Sequence, residues 1–65
     1  MIVTMTKDMI GSTPDAVIIT TKDNRFREAY GDFVKCKPNE IYSTLANMAD
    51  WCNNELHDEF LIEMD

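Results

Sequence analysis

Ala16-Val17-Ile18-Ile19-Thr20-Thr21 carries a β-branched side chain at every position after the first. Branching at Cβ restricts χ1 and suits a pleated strand better than a helix. The unbroken apolar stretch Ala16–Ile19 also asks for cover on both faces, so this run is expected to be a central strand. In a chain of 65 residues, the remaining elements must then be arranged around it.

Upstream, Val3, Met5 and Met9 fall on alternate positions with Thr4 and Thr6 between them, and only Lys7 interrupts this half-buried strand pattern. The cluster Gly11-Ser12-Thr13-Pro14-Asp15 then reverses the chain. A second reversal is expected at Lys22-Asp23-Asn24. From Arg25 the alternation of Phe26, Glu28 and Tyr30 reads as a further strand, and Gly31-Asp32 reads as a bulge or tight turn before Phe33, Val34 and Cys36.

Lys37-Pro38-Asn39-Glu40 has the composition of a helix start, with Pro where its missing N–H is harmless and Glu near the positive end of the dipole. Ile41, Leu45, Met48, Cys52 and Leu56 recur at helical spacing, flanked by Tyr42, Ala49 and Trp51. A helix from Pro38 or Asn39 to Leu56 follows. Beyond Asn53-Asn54 the tail alternates Phe60, Ile62 and Met64 against Glu59, Leu61, Glu63 and Asp65, which is strand period. The expected fold is one α+β domain over residues 1–65, in the order βββαβ. It consists of an antiparallel sheet of three or four strands with one helix packed on a face, its last strand at an edge or beside the N-terminal strand. So short a chain buries only about 60% of its unfolded surface, which makes a partner chain a reasonable expectation.

Charge constrains function more than any motif does. Residues 1–37 carry a net charge of +1, whereas residues 38–65 hold Glu40, Asp50, Glu55, Asp58, Glu59, Glu63 and Asp65 with no Lys or Arg, for a net −7. An overall charge of −6 argues against a direct hold on nucleic acid or anionic membrane. The longest apolar run is far below the ~18 residues of a membrane span, and Met1-Ile2-Val3-Thr4 has no signal character, so the expected location is cytoplasmic.

Cys36 and Cys52 are too few for a disulfide framework and are expected reduced. Cys52 lies on the apolar helix stripe and is read as core, and His57 as a helix-end residue suited to the negative dipole terminus. With Cys36 in another element, no four-ligand metal site is legible. One histidine among surface acids offers no nucleophile–base pair, and Gly11 and Gly31 build no phosphate loop. No enzyme activity, metal or cofactor is therefore expected.

Five methionines and six aromatic residues form a large adaptable apolar set, of which Tyr42 and Trp51 are the expected interface anchors. In size and charge, though in no motif, the chain resembles the small acidic accessory proteins of phages and other mobile elements. Two readings stay open. In one, the chain acts by protein–protein contact, with Asp50, Glu55, Asp58, Glu59 and Glu63 meeting a basic surface such as that of a nucleic-acid-binding protein, as an inhibitor or nucleic-acid mimic. In the other, it is a homodimer whose acids serve only solubility.

Overall fold

The computed structural model describes residues Met1–Asp65. Strands β1 (Ile2–Ile10) and β2 (Thr13–Thr21) form a long antiparallel hairpin closed by Gly11-Ser12. Gly11 has φ 65° and Ser12 is not in the positive-φ region, the pattern of a type II′ turn, whose twist matches that of the flanking strands. The turn is tighter than the Gly11–Asp15 cluster suggests, because Thr13 and Pro14 already pair with Ile10 and Met9. The register shifts between Asp8 and Met9, leaving Asp15 without a partner as a bulge. Pro14 is tolerated there because strand β3 (Val34–Cys36) reaches β2 only from Val17 to Ile19, so Pro14 sits on an unpaired edge.

Asn24–Tyr30 is a helix, α1, and not the strand that the alternation of Phe26, Glu28 and Tyr30 suggests. The first and last residues of that pattern also form an i, i+4 pair, and here Phe26 and Tyr30 stack with ring centroids 4.7 Å apart. The helix ends are closed locally. The Asp23 carboxylate accepts from the Arg25 N–H at 2.9 Å, and Gly31, at φ 92°, donates its N–H to the Arg27 carbonyl.

The long helical path expected over residues 38–56 is present in three geometries. A 3-10 turn at Pro38–Glu40 leads into α2 (Ile41–Trp51), and a π turn at Cys52–Leu56 ends it. Met48 and Cys52 are buried and Ile41, Leu45 and Leu56 half-buried, so the apolar stripe does face the sheet. Strand β4 (Leu61–Met64) then runs parallel to β1, beside it and at the sheet edge. The sheet order is β3-β2-β1-β4, with β2 inside as expected. The expectation of an antiparallel sheet with one helix is corrected to a mixed four-stranded sheet with two helices, in the order ββαβαβ. The parallel β1–β4 pair is the consequence of the chain crossing the sheet through α2 before its last strand.

Val3, Val17, Ile19, Phe26 and Met48 form the core, with Met5, Val34, Leu45, Trp51 and Phe60 packed around it. Strand register puts Val3, Val17 and Ile19 on one sheet face, the face that both helices cover. The expected two-sided cover of Ala16–Ile19 is not found. Ile18 points to the open face and is half-buried between its cross-strand neighbours Thr6 and Lys35. No helix is long and apolar enough to cross a membrane.

Candidate functional site

The π turn brings the acidic residues of the C-terminal half into one region. Widening the helix over Cys52–Leu56 requires an abrupt exit, and His57 supplies it in the left-handed region at φ 51°, ψ 43°. Such a backbone costs a non-glycine residue roughly 1–2 kcal/mol. A β-branched residue would suffer more, so His57→Val is expected to lower stability by about that amount while His57→Gly leaves it equal or higher. Urea melts of the two variants check the pair.

The chain then turns back toward β1. Cys52 Sγ, fully buried, lies 3.5 Å from the Asp58 carbonyl, so the thiol helps hold the segment leading into β4. Asp58 Oδ2 accepts from the Met1 ammonium at 3.0 Å and from Arg25 Nη2 at 3.1 Å. Arg25 also grips Asp23, through Nε at 3.0 Å and Nη2 at 2.6 Å. The loop before α1, the start of β1 and the approach to β4 are thereby tied by four charges.

That network sets the titration of its members. The Arg25 guanidinium holds the Asp23 carboxyl down at about 2. The Met1 ammonium, then the Glu59 N–H and Arg25, hold Asp58 below the usual carboxylate range, and Asp23 followed by Asp58 keeps Arg25 protonated. Both acids have depressed values in the folded state, so their contribution is fully present above the unfolded carboxylate value near 4 and is lost as pH falls toward 2. Thermal melts between pH 5 and pH 2 are expected to show a falling midpoint, with a shallower fall in Asp23→Asn.

An open groove of about 580 Å³ lies beside this network, lined by Asp50, Asn53, His57, Asp58, Glu59 and Phe60. Of the residues that the sequence nominates, Asp50, Asp58 and Glu59 meet here. Glu55 is exposed on the neighbouring π turn. Glu63 stands apart, in a second depression of about 710 Å³ on the open sheet face with Ile2, Thr4, Thr20 and Lys22. Tyr42 is 89% exposed in the first turn of α2. Trp51 lies some 13 Å further along the helix axis and meets Phe26 and Tyr30 edge-on at 6.0 Å and 5.2 Å. Its ring therefore has intramolecular partners, which Tyr42 lacks.

Six of the seven C-terminal acids form no ion pair; Asp58 alone does. Asp23, Arg25, Asn53 and Phe60 were not nominated from sequence. Of these, Asp23 carried a usable signal, an Asp placed as N-cap before a Phe26/Tyr30 pair at i, i+4 spacing. Cys36 and Cys52 are both free thiols, and no three His, Cys, Asp or Glu side chains converge as metal ligands. The chain matches no family model, no curated protein and no solved structure.

Proposed function

We propose that this chain acts without catalysis, by holding a basic surface of another protein against its acidic C-terminal half. One observation carries the reading: Glu40, Asp50, Glu55, Glu59, Glu63 and Asp65 have no cationic partner within the chain, and no Lys or Arg follows Lys37. Charges left uncompensated raise the encounter rate with a cationic surface and gain most when that surface supplies the missing partners. Where the partner binds nucleic acid, these acids would compete with phosphates for the same cations, and displacement of bound double-stranded DNA by the chain tests that form.

The general test is capture on the immobilised chain followed by elution in salt steps. Basic proteins released by roughly 0.5 M salt are expected, since the Debye length is then only a few ångströms. Retention that is indifferent to salt, or to the charge of the captured proteins, overturns the proposal.

A second reading, a homodimer, draws on nine large apolar residues that remain exposed, among them Ile10, Phe33, Tyr42, Ile62 and Met64. Sedimentation equilibrium at low and high salt separates the two, because apolar closure gives a dimer that salt leaves intact.

A further inference from the structure

Strand β4 leaves a row of its residues half-covered. Phe60, Ile62 and Met64 alternate toward the helix side of the sheet; Phe60 packs against the core, but Ile62 is 44% and Met64 59% exposed. On the other face Leu61 and its neighbour Ile2 on β1 are also exposed. The backbone is open in the same place. Leu61 and Asp65 donate their N–H groups inward to the Met1 and Met5 carbonyls, so the period of two turns the N–H and C=O groups of Ile62 and Met64 to the outer edge. No strand lies beyond β4.

We infer that β4 takes up an extended segment of a partner protein as a fifth strand, and that this segment alternates apolar with basic residues. The inference rests on the function proposed above and narrows it to a place. Residues directly opposite each other in neighbouring strands share a face. Apolar residues opposite Ile62 and Met64 would complete the row begun by Phe60, and a Lys or Arg opposite Glu63 would meet an acid that has no ion pair. Glu59 and Asp65, also unpaired, mark the two ends of the strand.

Charge selects this occupant over a second copy of the chain. Self-pairing of β4 unites two bodies of net charge −6, and a two-fold centred on Glu63 sets the two Glu63 side chains opposite each other. Like charges in that position are destabilising.

The test uses a fluorescein-labelled peptide of alternating valine and lysine, and a peptide of equal composition with its valines and lysines in separate blocks. Anisotropy should report binding of the alternating peptide roughly tenfold tighter than the blocked one, because only the former presents both chemistries in register. Ile62→Pro removes an outward N–H while sparing the inward ladder, and should abolish the preference. Glu63→Lys should weaken the valine–lysine peptide by roughly tenfold and gain a valine–glutamate peptide of the same alternation. That gain cannot come from a misfolded chain. In the complex, the amide protons of Ile62 and Met64 should exchange more slowly than in the free chain.

Equal binding of the two peptides, lost only when the acids are neutralised, overturns the fifth-strand inference and leaves the electrostatic reading standing. Absence of binding by either peptide overturns the inference, as does a salt-resistant dimer disrupted by Ile62→Pro. Failure of the electrostatic reading shows separately, as capture of basic proteins that salt does not release.

Discussion

Phe26→Ala is expected to remove a large share of the chain's stability. Phe26 is fully buried, and its ring stacks on Tyr30 and meets Trp51 edge-on. Truncating a buried phenylalanine costs about 3–5 kcal/mol, whereas a chain of this length has a total stability of about 3–10 kcal/mol. The core cannot refill the space, since only Val3, Val17, Ile19 and Met48 join Phe26 in its buried cluster. Urea melts followed by Trp51 fluorescence measure the loss. Tyr42→Ala is the matched control, because its ring is almost entirely in solvent and the change should stay within about 0.5 kcal/mol. A Phe26→Ala chain with a cooperative melt less than about 1 kcal/mol below the parent contradicts the packing described here.

The same residue shows where the sequence was legible and where it was not. Ala16–Thr21 is the interior strand that its branching implies, and Phe60–Met64 ends in the strand that its alternation implies. The stripe from Ile41 to Leu56 is helical throughout. Segment 25–30 misled because six residues are too few to separate a period of two from a period of 3.6. Tertiary burial and local capping together decide for the helix. Only Phe26 needs deep burial, and Asp23 and Gly31 cap the turn on either side of it. The parallel placement of β4 was likewise illegible, since it depends on how far α2 carries the chain across the sheet.

Among the nominated site residues, the acids of the groove could be read because residues 50–59 are close in sequence, with the π turn needed only to bend them together. The structural duty of Asp58 could not, as both its cationic partners, Met1 and Arg25, lie more than thirty residues away. Nor could the intramolecular packing of Trp51, which waits on the helical form of α1.

The second large effect concerns charge. Replacing Asp50 by Asn and Glu55, Glu59 and Glu63 by Gln removes four of the unpaired acids and should weaken partner binding by about 2–4 kcal/mol, at about 0.5–1 kcal/mol for each exposed pair. Stability should hardly change, because none of the four takes part in an ion pair. Asp58→Asn behaves oppositely. It should lower stability by loosening the tie between β1, Arg25 and the approach to β4, so it serves to separate a folding defect from a binding defect. Equal partner affinity in the four-amide variant and the parent would remove the acids from the interface.

The most direct measurement is the dissociation constant of the principal captured partner as a function of salt, for the parent chain and the four-amide variant side by side. The account expects affinity to fall steeply with salt in the parent and to fall weakly from an already poorer value in the variant. Two coincident curves, or a parent curve that is flat in salt, would contradict it.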